Sequence, residues 1–372
     1  MTSASRFDSD VYRTRISRAA TLTAAAGLDA LIVSPGPDLR YLIGSRAETF
    51  ERLTALVIPA DGVARLVVAR LETASLRTSA VADLDIEVTD WVDGQDPHTL
   101  ALAGLAASPR IAVSDAMPAL HVVPIAERAG ATPVLATDVL RELRMIKDHA
   151  EIEALRRAGA AIDRVHARMG DWLRPGRTEK QIADDIADAI VAEGHTGAEF
   201  VIVGSGPNGA DPHHEFSDRI VTPEDIVVID IGGPVEPGYN SDSTRTYCFS
   251  APDAAIADAY RALQEAQARA VAAVRPGVTA EYIDAVAREY LCDKGLGDNF
   301  IHRTGHGIGL SVHEEPYLVA GNDLELRPGM AFSVEPGVYF PGQWGARIED
   351  IVIVTDDSGE PLNTRPHDLV VL

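Results

Sequence analysis

The stretch Ile226-Val-Val-Ile-Asp230-Ile-Gly232-Gly-Pro-Val-Glu236-Pro-Gly-Tyr239-Asn-Ser-Asp242-Ser-Thr-Arg-Thr246 sets one carboxylate inside an apolar strand and a second just past a Pro/Gly-rich turn. A bare carboxylate in such a strand carries a large desolvation penalty. The midpoint of 230 and 242 is Glu236, and a hairpin centred there would place the two aspartates opposite each other on one face. Ala331-Phe-Ser-Val-Glu335 and Ala346-Arg-Ile-Glu349 repeat the arrangement about Gly342, inside Phe340-Pro-Gly-Gln-Trp-Gly345. Four converging carboxylates repel one another in a low-dielectric site unless cations neutralise them, and two divalent ions would balance the charge. A nitrogen donor is available in Thr304-Gly-His306-Gly-Ile-Gly309, where glycines let the backbone approach closely. Four oxygen-donor residues and one imidazole suit Mn²⁺ or Co²⁺, with Zn²⁺ or Fe²⁺ as further candidates; thiolate chemistry is excluded. Two ions ~3.5–4 Å apart can hold a hydroxide between them and stabilise charge on reacting oxygens, which is hydrolytic chemistry.

The rest of the chain bounds this reading. Its 372 residues suit two domains, and 33 Lys+Arg against 56 Asp+Glu give a net charge of −23. Such an excess repels phosphate backbones and anionic lipid, so no nucleic-acid or membrane partner is expected. No apolar run reaches the ~18 residues of a membrane span, the N-terminus lacks a signal-peptide core, and two cysteines are too few for a disulfide framework. A cytoplasmic protein is expected.

Up to about residue 140 helical and strand patterns alternate: a helix over 9–26, strands at Ala30–Val33, 53–58, 66–69, 111–113 and 132–135, and a hairpin turn at Ala60-Asp-Gly-Val63. His98 and His121 are isolated there and read as structural or surface residues. Beyond lie a long helix over Arg141–Ala160 and helices over 178–193, 252–274 and 279–293. Thr178 and Gln181 form a capping box. Strands fit 199–203, 226–231, 242–248, 331–336 and 346–354. His166 and His195, on helical stretches, read as surface or packing residues. Gly204-Ser-Gly206-Pro-Asn-Gly209 matches a dinucleotide fingerprint, but Pro207, Pro212 and Pro223 deny it the helix that the motif needs.

The ordered segments Ile229-Asp-Ile-Gly232, Ser241-Asp-Ser-Thr-Arg245, His302-Arg-Thr-Gly-His306, Val312-His-Glu-Glu-Pro316, Val334-Glu-Pro-Gly337 and Arg347-Ile-Glu349 resemble those of the pita-bread metallopeptidases. That family includes Xaa-Pro dipeptidase (prolidase), aminopeptidase P, methionine aminopeptidase and creatinase. The resemblance spans about residues 145–372. It implies an α+β fold, with a smaller α/β creatinase-like domain over 1–143, supplying substrate-end or dimer contacts, ahead of a catalytic domain over 144–372. It also implies Asp230, Asp242, His306, Glu335 and Glu349 as ligands of two metals, with Asp242 and Glu349 bridging. His213 matches a histidine that steadies substrate and tetrahedral intermediate, and His313 one near the scissile carbonyl. His302, Tyr339 and Arg347 match substrate-facing or supporting positions. His214, Glu215 and Ser243 depart from the family's pattern.

All five ligands are present, against the metal-free creatinase branch, and the long first domain argues against methionine aminopeptidases. The chain most resembles bacterial dipeptidases of the prolidase type. The expected reaction is hydrolysis of Xaa-Pro dipeptides by a metal-bridging hydroxide, with Glu335 as proton shuttle and His313 stabilising the oxyanion. The alternatives are an aminopeptidase P acting on longer peptides, or a same-fold hydrolase or lyase of a small non-peptide substrate. A dipeptidase must pair the free carboxylate of its substrate with a cation, for which Arg347 is one candidate. Mn²⁺ leads among the metals, and a homodimer is expected.

Overall fold

Helix caps and strand alternation account for most of the elements in this computed structural model, which describes residues 6–48 and 51–372. The chain divides into two compact units, Met1–Arg144 and Met145–Leu372. In the first, strands β1 (Ala30–Val33), β2 (Ala55–Pro59), β3 (Ala64–Ala69), β4 (Ile86–Trp91), β5 (Ile111–Val113) and β6 (Val134–Leu135) form one sheet. Its order is β4-β3-β2-β1-β5-β6, antiparallel across β1–β2 and β2–β3 and parallel elsewhere. The β2–β3 connection is the hairpin expected at Ala60–Val63. Helices α1 (Ser9–Ala25), α2 (Pro37–Ile43), α3 (Pro97–Leu102), α4 (Ala119–Ala129) and α5 (Thr137–Arg144) complete the unit. His98 and His121 are not isolated: Nε2 of the first lies 3.3 Å from Nδ1 of the second.

The single long helix expected over 141–160 is instead two, α5 and α6 (His149–Ala167). Between them the Lys147 N–H donates to the Gly329 carbonyl at 2.8 Å and Ile146 bridges Met330, so the backbone there is extended. Asp148 then restarts the helix through a capping box with Glu151. The second unit continues with α7 (Glu179–Ala192), β7 (Phe200–Ser205), β8 (Val227–Val235), β9 (Tyr239–Cys248), α8 (Ala254–Ala273) and α9 (Ala280–Asp293). It ends with β10 (Gly305–Gly307), β11 (Glu314–Leu318), β12 (Ala331–Val334), β13 (Gly337–Phe340), β14 (Trp344–Arg347), β15 (Asp350–Val354), β16 (Gly359–Pro361) and β17 (Val370–Val371). Thr178 and Gln181 make the expected capping box on α7. The glycine-rich stretch that begins at Gly204 forms a 3₁₀ turn over Gly206–Ala210, not an α-helix.

Two sheets, β17-β9-β8-β7 and β11-β10-β12-β15-β16, carry this unit, together with the hairpin β13–β14. Each sheet is backed by a helix pair. Val227, Ile229 and Ile231 pack with Ile162, Val165, Ile182 and Ile186 of α6 and α7. Phe332, Val334 and Val352 pack with Leu263, Ala266, Ile283 and Ala287 of α8 and α9. His166 and His195 are buried and bonded: His166 to the Tyr247 hydroxyl (2.9 Å) and the Ser243 carbonyl (3.1 Å), His195 to the Ser241 hydroxyl (2.8 Å).

Candidate metal centre

With Ile229 and Ile231 turned to the helices, strand alternation turns Asp230 to the other face. The ladder pairs Asp230 with Thr244 and Gly232 with Asp242. The hairpin therefore pivots on Pro237, one residue later than expected. Residues 236–238 form its loop, closed by the Gly238 N–H on the Val235 carbonyl at 2.7 Å. Asp230 and Asp242 are in consequence diagonal neighbours on one face, not directly opposite. For the second pair, Val334 is opposite Asp350 and Gly337 opposite Arg347, both ladders sharing a centre at Gly342. Glu335 and Glu349 face each other in the gap between those ladders, as the spacing predicts.

His306 enters from β10. A Cβ on Gly305 would collide with the Ser333 carbonyl oxygen and one on Gly307 with that of Glu315, so only glycines let β10 sit between its neighbours. Nδ1 of His306 lies 3.1 Å from the Gly307 carbonyl, an acceptor, and so carries the proton. That leaves Nε2 facing Glu335 Oε1 (3.2 Å) and Asp242 Oδ2 (3.6 Å). Ser333 bonds both groups, accepting from the His306 N–H (3.0 Å) and donating to Glu335 Oε1 (3.0 Å).

The electrostatics of the cluster call for cations. Burial, then the charge of Asp230, pushes the Asp242 carboxyl well up; burial, then Asp242, does the same to Glu349. Burial also opposes the charge on Glu335, but the hydrogen bond and charge of His306, with His302 and Arg347, hold it down to about 2. Burial likewise opposes the charge on His306, but that bond together with the charges of Glu335 and Asp242 raises it. Protons are thus favoured on some of these acids unless another positive charge is present. Two buried carboxylate oxygens, Asp230 Oδ1 and Glu349 Oε1, have no hydrogen-bond partner. Among the described residues, Asp242, His306 and Glu349 each offer a ligand atom, all within 4.8 Å of one another. Orphaned anionic oxygens beside an imidazole lone pair fit a divalent metal.

A chain of buried hydrogen bonds fixes the ligands from behind. Arg347 donates through Nη2 to Asp230 Oδ2 (2.7 Å), through Nη1 to the Tyr339 hydroxyl (2.7 Å) and through Nε to Thr244 Oγ1 (3.1 Å). Thr244 donates onward to Glu349 Oε2 (2.7 Å). The Tyr339 hydroxyl lies 2.9 Å from His302 Nε2, and His302 Nδ1 lies 2.7 Å from the Arg303 carbonyl, so the tyrosine is the donor to the histidine. Burial raises Tyr339 to about 12, and it stays a neutral donor. Arg347 and Tyr339 are both buried, and the guanidinium is committed to holding Asp230 and, through Thr244, Glu349.

The four carboxylates and His306 open onto a cavity of about 630 Å³, which His213, His302 and His313 also line. The His313 ring sits edge-on to His306, centroids 4.0 Å apart. Desolvation against the cage, then the charges of His306 and Arg303, lower it to about 4, so it is neutral. His213 is exposed to the cavity from a loop tied down by Glu179. That fully buried carboxylate accepts from Ser205, Asn208, Ser217 and His214 (Nε2 at 2.8 Å). His214 thus anchors the loop, while Glu215 lines the cavity. Ser243 pairs with Ile231 on the helix side of β9, out of the site.

Thr244, Ser333 and Glu179 are not among the residues read from the sequence. The first had a signal: Asp242, Thr244 and Thr246 alternate in β9 and so must share a face. Ser333, two residues before Glu335 in the strand expected over 331–336, had the same one.

The family model of metallopeptidase family M24 matches residues 153–356, and that of the creatinase/prolidase N-terminal domain matches 15–146. The probable dipeptidase PepE of Mycobacterium bovis is 62% identical, over 99% of this chain and 98% of its own. The crystal structure of dipeptidase PepE from Mycobacterium ulcerans is 63% identical with a TM-score of 0.95, covering 98% of this chain and 99% of that one. An Xaa-Pro dipeptidase of Lactobacillus helveticus is 34% identical over 92% of this chain and 95% of its own. By sequence and by fold, this chain belongs to metallopeptidase family M24, with a creatinase/prolidase N-terminal domain preceding its pita-bread catalytic domain.

Proposed function

We propose that this metallopeptidase hydrolyses Xaa-Pro dipeptides, releasing free proline, with two divalent ions, Mn²⁺ foremost. The observation that carries the reading is the convergence of four carboxylates, Asp230, Asp242 and Glu349 buried and Glu335 partly so, on His306, with two of their oxygens unpartnered. Asp230, Asp242, His306, Glu335 and Glu349 would hold the ions, Asp242 and Glu349 serving both. When bound, such ions activate water as a nucleophile and stabilise negative charge on the reacting oxygens. The chain's own groups do the rest. His213 places the peptide. Glu335, steadied by Ser333, takes a proton from the attacking water and passes it to the departing proline nitrogen. His313, neutral and beside His306, donates to the carbonyl oxygen as charge develops there. Arg347, Thr244 and Tyr339 keep Asp230 and Glu349 in place. The names of the relatives, dipeptidase and Xaa-Pro dipeptidase, support the choice of substrate.

The test is to incubate Mn²⁺-loaded protein with Xaa-Pro dipeptides and, side by side, with Xaa-Pro-Xaa tripeptides. Proline released from dipeptides with little cleavage of tripeptides is expected. Preference for tripeptides would instead make the chain an aminopeptidase P, and cleavage of neither would remove peptide hydrolysis at proline. The proposal includes a cytoplasmic homodimer, which light scattering on the purified protein checks for mass. Among the described residues no helix is long and apolar enough to cross a membrane.

A further inference from the structure

His313 lines the cavity without a tether of its own. Among the described residues its ring has no hydrogen-bond partner, and its ring contact is with His306. Its aim is therefore set by the backbone that carries it, the bend over residues 309–313 that leads into β11. That bend closes over one ion pair. Lys147 Nζ donates to Glu314 Oε1, and the two side chains are 1% and 10% exposed, so the pair is desolvated. A Cβ on Gly309 would lie 2.7 Å from that same Oε1 and 3.1 Å from Lys147 Nζ, which only a glycine avoids. The Gly309 carbonyl accepts from the Asn240 N–H (2.9 Å) and its side-chain amide (3.1 Å), fastening the bend to β9 two residues before Asp242. Both ends of the pair are anchored: the Lys147 N–H donates to the Gly329 carbonyl at 2.8 Å, and Glu314 pairs with Gly307 of β10. Removing the lysine would leave Glu314 with an uncompensated charge in a desolvated place. Its escape toward water would drag the adjoining His313 with it.

We infer that Lys147 and Glu314 are positioning residues, whose ion pair holds His313 where its N–H meets the carbonyl oxygen as charge develops; this rests on the role given to His313 above. Neither residue lines the cavity, so each acts only through the histidine. A charge-assisted bond between two anchored groups resists displacement far better than the torsions of one half-exposed imidazole. Precision matters at this point, since a donor misplaced by about 1 Å can cost about 10²-fold in rate. The pair also accounts for a feature of the fold. The extended backbone between α5 and α6, which interrupts a run of good helix formers, is what delivers the Lys147 side chain beneath the bend.

The test is a double-mutant cycle on full-length, Mn²⁺-loaded protein, with kcat and KM measured on one Xaa-Pro dipeptide. Lys147→Met and Glu314→Gln are each made in the wild type and in His313→Ala, and metal content and melting temperature are recorded for all. Lys147→Met should keep its metals and lose about 10- to 100-fold in kcat, with KM changing less. Glu314→Gln, which keeps an acceptor oxygen for the lysine, should lose less. In the His313→Ala background both changes should cost almost nothing further in kcat, because the group they position is gone. A role in stability alone predicts a lower melting temperature with the same kcat per folded molecule. Unchanged kcat in folded, metal-loaded Lys147→Met, or an equal fold-loss in both backgrounds, overturns the inference and leaves the role of His313 standing. If Lys147→Met does not fold, the Glu314→Gln cycle decides by the same criterion. Normal kcat in His313→Ala, or no turnover by the wild type, overturns the reading on which the inference rests.

Discussion

Thr244→Val removes one hydroxyl and almost no volume, yet it should loosen the metal centre. Thr244 Oγ1 donates to Glu349 Oε2 at 2.7 Å and accepts from Arg347 Nε at 3.1 Å, both inside the protein. Valine leaves a carboxylate oxygen without its donor and a guanidinium N–H without its acceptor. Each buried group left unsatisfied costs about 1–3 kcal/mol. Because Arg347 still reaches Asp230 and Tyr339 and can relax toward them, a total near 2 kcal/mol is the working figure. For a unit of this size that lowers the melting temperature by about 4–8 °C. Losing a group that orients a ligand weakens metal affinity by about 10- to 100-fold. Calorimetric titration of the chelator-stripped protein with Mn²⁺ reads the second effect, and thermal unfolding reads the first. Thr244→Ser keeps the hydroxyl and should bind Mn²⁺ like the wild type. Wild-type affinity in Thr244→Val would show that the Arg347–Thr244–Glu349 chain does not position the ligands.

Other residues give sharper contrasts. Asp242→Ala should lose both ions together, since it would serve both; two ions retained on elemental analysis would end that assignment. His313→Ala should keep its metals but lose about 10²–10³ in kcat, with KM changing less; normal kcat in a heat-sensitive variant would make His313 a brace only. His166, held neutral by burial with its affinity for protons down to about 3, gives a pH signature. Its stabilising effect is complete above the unfolded value near 6.5 and declines as pH falls from there toward 3, because the unfolded chain takes up the proton first. The stability gap between wild type and His166→Gln should therefore narrow by about 2 kcal/mol between pH 7 and pH 5, and a gap independent of pH would contradict it.

Much of the catalytic unit is legible in the sequence because strand parity is rigid. Once Ile229 and Ile231 are placed on a helix-facing side, Asp230 must point the other way, and the spacing of Glu335 and Glu349 about Gly342 fixes their juxtaposition. The first hairpin is read one residue off because a midpoint ignores loop closure, which the Val235–Gly238 bond decides. The break between α5 and α6 is hidden because residues 141–160 are good helix formers; a non-local partner, Gly329, takes the Lys147 N–H. Tertiary pairing outranks local propensity there. The supporting residues are harder still. Thr244 and Ser333 are ordinary in strands, and Glu179 is an ordinary first-turn acid until the loop at 205–217 folds onto it. Arg347 looks available for substrate in the sequence, and only the fold shows its donors committed to Asp230, Tyr339 and Thr244.

Proline release as a function of added metal tests two-metal hydrolysis most directly. Chelator-stripped protein receives Mn²⁺ in fractions of an equivalent, and the rate on one Xaa-Pro dipeptide is measured at each step. The expected curve starts at no detectable release, rises with loading and levels at two equivalents per chain, with Co²⁺ able to replace Mn²⁺. Release by the metal-free protein, or a plateau at one equivalent, would contradict a centre built from Asp230, Asp242, His306, Glu335 and Glu349 around two ions.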